Sequence, residues 1–224
     1  MATAATLTIV RPPKTSPASA DTRQRLIDAA AVLFAAGGFE NVTVREICKA
    51  SNANVAAINY HFGDKAGLYR AVITFAISVM LETNELSQRA GEGLSPEDQI
   101  RGFVRVFVTR LNGDGPTAWI HRLMAREFEQ PTEALDLVMT QVVKPRLEYL
   151  CTVAGAVMKL PPSDVRVQRC VGSLQMQCFM AARQVPAPLE KTFGQVSRDI
   201  EGTVAHIAEF SLGGMRAIAA APLR

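Results

Sequence analysis

Between residues 43 and 65 the apolar positions recur at helical spacing in two short runs with a break between them. Ile47 and Ala50 mark one side of the first run, Ser51-Asn52-Ala53-Asn54 interrupts it with residues that favour caps and turns, and Val55, Ile58 and Phe62 resume an apolar side. Thr43 followed by Glu46 is a capping box, which predicts a helix beginning at Val44. Asn52 is a residue type that tolerates a left-handed backbone, and Asn54 is placed to cap the second helix. The pattern therefore predicts two short helices joined by a tight turn, with Ala56, Ala57, Asn59, Tyr60 and His61 on the sides left free.

The rest of the chain also reads as helices. Upstream, Asp21 is expected to cap a helix buried through Leu26, Ala30, Leu33 and Phe34 and ended by Gly37-Gly38. Arg23 and Arg25 near its start oppose the helix dipole, so they await either a phosphate or plain solvation. Residues 1–20 are rich in Thr, Ala and Pro, with Arg11 and Lys14 and no acid. They are expected to form a disordered basic arm, either a solvated leader or a tail along DNA.

Downstream, Asp64 is placed to cap a long helix with Leu68, Tyr69, Val72, Ile73, Ala76 and Ile77 on its apolar face. Gly91 and Gly93 mark a connection, and Ser95-Pro96-Glu97-Asp98 starts a helix whose stripe is Ile100, Phe103, Val104, Phe107, Val108 and Leu111. Helical patterns follow over 117–130 and 132–158, the latter kinked or divided by Pro145. In the last two patterns, Val167, Val171, Leu174, Cys178 and Ala181, then Ile200, Val204, Ile207, Ser211 and Met215, step by threes and fours as at a seam between helices. Such seams either pair two copies of the chain or close the core of one, and spacing leaves both open.

Composition adds limits. The 224 residues can hold one sizeable core or two modest ones, and 48% hydrophobic with 20% charged residues is ordinary for a globular protein. No uninterrupted apolar run reaches the ~20 residues of a membrane span, and the N-terminus lacks the pattern of a secretory signal, so a soluble cytoplasmic protein is expected. The net charge of +3 is too small to establish a nucleic-acid partner. Cys48, Cys151, Cys170 and Cys178 have no metal-site spacing and are expected as reduced thiols. His61, His121 and His206 occur singly, without an HExxH, GxSxG or phosphate-loop pattern, so neither an enzyme, a metal site nor a cofactor is expected.

Residues 52–68 resemble the recognition segment of the tetracycline-repressor (TetR) family of bacterial regulators, keeping Tyr60, His61, Phe62, Lys65 and Leu68, with Ile58 in the usual Leu place. Asn52, Asn54, Ala56, Ala57 and Asn59 depart from the family pattern, and Gly67 stands where an acid is usual. Arg122-Leu123-x-x-Arg126-Glu127, Glu129-x-Pro131 and Lys144-Pro145 are similar to a subgroup with a helical C-terminal domain, some of whose members control antibiotic efflux. The resemblance implies an all-α protein: a three-helix helix-turn-helix DNA-binding domain over 21–66 and a larger helical effector-binding and dimerisation domain over 67–224.

It further implies a ligand-responsive regulator, most simply a repressor, binding a palindromic operator as a homodimer and released by a small molecule. An activator of the same fold, or a helical adaptor that binds no DNA, are the alternatives. Residues from Asn54 to His61 would enter a major groove, Asn59 reading an adenine and Ala56 or Ala57 touching a thymine methyl. Thr43, Arg45, Tyr60, His61 and Lys65 would hold phosphates. Trp119, Met124, Phe128, Met139, Met176 and Phe179, with Phe103 and Phe107, would line the effector cavity, and Arg122 or Arg126 would orient a polar group; plain core, or an acid partner for Arg126, is the other reading. The dimer would form through the last two helices and the two seams named above.

Overall fold

The computed structural model describes residues 17–113, 115, 117–181 and 199–221, and among them all regular structure is helical. The order is α1 (Pro17–Gly37), α2 (Val44–Ser51), α3 (Val55–Phe62), α4 (Lys65–Arg89), α5 (Pro96–Asn112), α6 (Trp119–Glu129), α7 (Ala134–Val138), a π-helical turn (Met139–Val143), α8 (Lys144–Met158), α9 (Val165–Ala181) and α10 (Ile200–Ala220). Residues 1–16 of the expected arm lie outside the described residues.

Local chemistry sets most of the helix ends. Glu46 N–H donates to the Thr43 hydroxyl while Thr43 N–H and Oγ1 donate to the Glu46 carboxylate, which completes the capping box of α2. Asn52 closes α2 at φ 51°, and the Asn54 and Asp64 side chains accept from Ala57 and Gly67 N–H to start α3 and α4. Ser95 does the same for α5, with Pro96 in its first turn.

The start of α1 differs from expectation. It begins at Pro17, so Asp21 is no cap but pairs with Arg25 one turn on at 3.2 Å. Arg23 and Arg25 thus lie well inside the helix, where the dipole no longer opposes them, and Arg23 rests on the Phe62 ring at 5.3 Å.

Pro145 stands in the first turn of α8, where the pattern over 132–158 is divided. The chain widens into the π-helical turn, in which Lys144 N–H reaches back to the Met139 carbonyl. The wider turn takes up the clash that a proline ring makes with the preceding turn. The Asn84 side chain from α4 donates to the Val142 carbonyl at 3.1 Å.

Two apolar clusters hold the helices together. The first joins α1, α2, α3 and the first half of α4 to α6 and α7 through Leu26, Phe34, Ile47, Ile58, Leu68, Val72, Leu123 and Val138, and so runs across residue 66. The second gathers Ile100, Phe103 and Val104 of α5 with residues of α8, α9 and α10. α4 is the one described helix long and apolar enough to cross a membrane by length and composition, but Leu68, Val72, Ile73, Ala76 and Ile77 are buried against its neighbours. All four cysteines are free; Cys48, Cys170 and Cys178 are buried and Cys151 is half-buried.

The second cluster decides the two seams. Val167, Val171, Leu174 and Cys178 of α9, with Val204, Ile207, Ser211 and Met215 of α10, are buried within this single chain. They close its core and present nothing to a second copy, because helices α5 and α8 already occupy that side. Ala181 packs at the edge of this core and Ile200 is 36% exposed. The outward faces carry other residues: Met176 and Met180 on α9, and Phe210 and Ile218 on α10, are all exposed.

Gly67, unexplained by the sequence, has a steric reason. A Cβ at this position would land on the Phe62 carbonyl oxygen at the α3–α4 corner. Gly67→Ala must open that corner and is expected to lower stability by about 1–3 kcal/mol, measured as a shift in the denaturant midpoint at unchanged slope.

Candidate functional site

α3 is a short helix whose buried side is narrow. Ile58 is fully buried, Phe62 and Ala57 are half-buried against the first cluster, and Ala56, Asn59 and Tyr60 are exposed. Val55, expected on the buried side, is 47% exposed at the first position of the helix, where its side chain sits beyond the edge of the core. The exposed surface of α3 is thus Val55, Ala56, Asn59 and Tyr60, with Tyr60 72% exposed and packed edge-on to His61. Ala50, expected to be buried on α2, is exposed as well, and Cys48 and Ser51 take the inner side with Ile47.

The other nucleic-acid candidates divide into those on this surface and those turned away. Arg45 and Lys49 are exposed on α2, beside Thr43 at its N-terminus. Lys49 was missed, since a lone lysine next to a turn carries no sequence signal. Hydrogen bonds from the Thr43 hydroxyl and backbone hold the Glu46 carboxyl below its ordinary range, so the capping box is ionised at neutral pH. Asn54 spends its side-chain oxygen on the cap of α3, which leaves its amide hydrogens for a ligand.

Lys65 is the clear correction. Its ammonium donates to the Phe39 carbonyl at 2.8 Å and the Val42 carbonyl at 3.1 Å and lies over the Phe39 ring at 4.5 Å. After Gly38 turns the chain at φ 81°, the loop between α1 and α2 points these carbonyls at the start of α4, and Lys65 satisfies them. It braces the reading unit from inside.

The effector candidates are similarly sorted. A cavity of about 70 Å³ lies between α4, α5, α6, α8 and α9. Of the expected residues, Phe107, Met124 and Phe179 line it. Phe103 stacks behind Phe107 and Trp119 stacks on Phe75, both as core. Phe128 and Met176 are more than half exposed, and Arg122 is exposed, because each falls on the outer side of its helix. Met139, also exposed, borders an open groove of about 830 Å³ with Lys144, Leu147 and Cys151. The sequence reading missed Arg146 and Ile120, which are cavity walls. Arg146 stands next to Pro145 in a stretch where a basic residue reads as surface.

Arg126 takes neither role expected of it. Its Nε donates to the Ala35 carbonyl at 2.9 Å and its Nη2 to the Ala36 carbonyl, two of the last acceptors of α1. A cation there suits both the open carbonyls and the negative end of the helix dipole. The next residue, buried Glu127, accepts from the Tyr69 hydroxyl of α4 and from Thr132. Burial and this carboxylate push the Tyr69 hydroxyl far above its ordinary range, so it stays a donor. α6 is therefore a cavity wall on one side and a fastening for the reading unit on the other.

Comparison with known proteins agrees with this division. Residues 26–72 match the family of bacterial regulatory proteins of the tetR type, and residues 96–215, more than half of the chain, match the C-terminal domain of the HTH-type transcriptional dual regulator CecR. The CecR protein of Shigella flexneri is 29% identical over 153 residues, which cover 65% of this chain and 68% of that one. Among solved structures, SCO4454, a TetR-family transcriptional regulator from Streptomyces coelicolor, superposes with a TM-score of 0.63 at 18% identity, covering 89% of this chain and 97% of the other. AibR, solved in complex with isovaleryl coenzyme A and operator DNA, superposes with a TM-score of 0.62 at 16% identity over 86% of this chain and 96% of its own. The helix-turn-helix of α2 and α3 and the helical body above it are those of a transcription regulator, and this chain belongs to the TetR family, with a CecR-type C-terminal domain.

Proposed function

We propose that the chain works in the cytoplasm as a homodimer that binds a near-palindromic operator and is released, as a repressor, when a small molecule enters the cavity of each subunit. The observation that carries the reading is the double duty of α6. Ile120 and Met124 line the cavity, while Arg126 and Glu127 on the same helix fasten α1 and α4. A ligand that widens the cavity displaces α6, and α6 cannot move without drawing on the end of α1. Release follows if the ligand binds the displaced form more tightly, since equal affinity for both forms shifts nothing.

On DNA, the exposed edge of α3 enters the major groove. Asn59 presents an amide that can pair with both edges of an adenine, and Val55 with Ala56 offers the apolar contact a thymine methyl takes. Arg45, Lys49 and His61 flank this edge and hold phosphates. Two copies place two such helices about 34–36 Å apart, which gives the operator its symmetry. The second copy is assigned to the outward faces of α9 and α10, which carry the exposed Met176, Met180 and Phe210 and where a Cβ on Gly172, Gly213 or Gly214 would meet open space. The Shigella relative is named a dual regulator, so activation from differently placed operators is the second reading.

Gel shift against the chain's own upstream region, and against fragments selected from random duplexes, tests the reading. Asn59→Ala is expected to cost about 1–3 kcal/mol at the matched base pair and to relax preference there. Arg45→Ala is expected to weaken all duplexes alike and lower the salt slope by about 1. Lys65→Met should leave that slope unchanged and lower the melting temperature instead; a reduced slope would restore Lys65 to the phosphates. Phe210→Glu should turn the dimer into monomer in sedimentation and abolish tight operator binding while the helical content stays. Arg126→Ala should keep effector binding but blunt its effect on operator affinity, read by titrating both ligands on one sample.

A further inference from the structure

Arg146 is a charged side chain of the cavity wall that none of the described residues answers. It is 2% exposed, and its guanidinium lies over the Phe107 ring at 4.9 Å and near the Phe179 ring at 5.8 Å. Neither Nε nor Nη2 has a hydrogen-bond partner, and no carboxylate pairs with it among the described residues. The nearest ionisable neighbour is Cys178, whose thiol burial pushes up to about 12, so it supplies no anion at neutral pH. The same burial pulls Arg146 down to about 10, which still leaves it cationic at pH 7. A buried cation without a counter-charge is costly, and stacking on two rings offsets only part of that cost.

The two unpartnered nitrogens are those of the side-on fork of the guanidinium, the edge that takes both oxygens of a carboxylate in parallel. Around it the cavity is mostly apolar: Val79, Met80, Leu111 and Met124 join the two phenylalanine rings, with Thr83, Thr117 and His121 as its polar lining. The other arginine on its border, Arg110, already pairs with Glu82 at 3.2 Å. One unpaired fork in an apolar chamber matches a single negative charge on an apolar body. An amine would meet two guanidinium groups, and among the described residues no second arginine or lysine without an ion pair lines the cavity to receive the second charge of a phosphate dianion.

We infer that the effector is a small organic carboxylate held on the Nε and Nη2 edge of Arg146, with its apolar part against Phe107 and Phe179. This rests on the ligand-responsive reading above and names the chemical class of that ligand. Size gives the inference a mechanical consequence. The cavity of about 70 Å³ has room for a headgroup and little more, whereas pockets that hold drug-sized ligands measure about 300–1,000 Å³. The body of the ligand therefore needs the cavity to widen, and Thr117 and Ala118, just before α6, with Ile120 and Met124 on it, form one wall. Recognition of the charge at α8 and displacement of α6 are thereby one event.

The test is a thermal-shift titration of the full chain with hexanoate and benzoate, matched against hexanol, benzyl alcohol, benzylamine, chloride and inorganic phosphate. The carboxylates are expected to raise the melting temperature in a saturable way and the others not. Arg146→Met should weaken carboxylate binding at least tenfold, and Arg146→Lys should retain part of it. Equal response to the alcohols, a chloride or phosphate effect as large as that of the carboxylates, or an Arg146→Met protein that responds like the wild type would each overturn the inference. So would a panel in which no carboxylate stabilises the wild type, a result that does not depend on any variant folding. Operator gel shift on the same samples separates the two levels. Intact DNA binding with no carboxylate response sinks this inference alone, whereas absence of any operator preference sinks the regulator reading beneath it.

Discussion

The attachment of α6 to the end of α1 ties the cavity wall to the helix-turn-helix unit, beside the long helix α4 that packs against both. The Arg126 guanidinium meets the carbonyls of Ala35 and Ala36, which α1 cannot satisfy within itself, and the buried Glu127 receives the Tyr69 hydroxyl. Charged groups hydrogen-bonded away from solvent are discrete in geometry, since a slipped partner leaves a buried charge unanswered. The first apolar cluster reinforces the attachment, because Leu123 of α6 and Val138 of α7 share one core with Leu26, Phe34 and Ile58 of the reading unit.

The reading unit itself is too small to be stable on burial alone. Its three helices are held by end chemistry, with caps at Thr43, Asn54 and Asp64 and a left-handed closure at Asn52. Lys65 adds a brace from the inside by answering the carbonyls of the α1–α2 loop. Ala56 and Asn59, two of the positions that depart from the family pattern, lie on the exposed side of α3, outside the packing.

The helical body divides differently. Its second cluster is closed by α5, α8, α9 and α10 in one chain, so the outward faces of α9 and α10 are left over with exposed Met176, Met180 and Phe210. A face of that kind on a helical pair is where a second copy gains most by docking. Regular threes-and-fours spacing in both helices marks the buried side, and periodicity cannot say whether the partner on that side belongs to the same chain or another.

Although the start of α1 at Pro17 and the ion pair of Asp21 escaped it, what the sequence by itself determined is the set of helices, the turn between α2 and α3, the caps at Thr43, Asn54, Asp64 and Ser95, and the family they resemble. Those features depend on residues within a few positions of one another, so a local pattern carries them. Tertiary structure alone decided which way long polar side chains turn. Lys65 and Arg126 point inward to carbonyls that come from α1 and the loop after it, and Arg146 is buried by rings from α5 and α9. Each of these depends on helices distant in sequence arriving at one place, and a lone arginine or lysine reads the same in the chain whether it will meet water, a backbone carbonyl or a ligand.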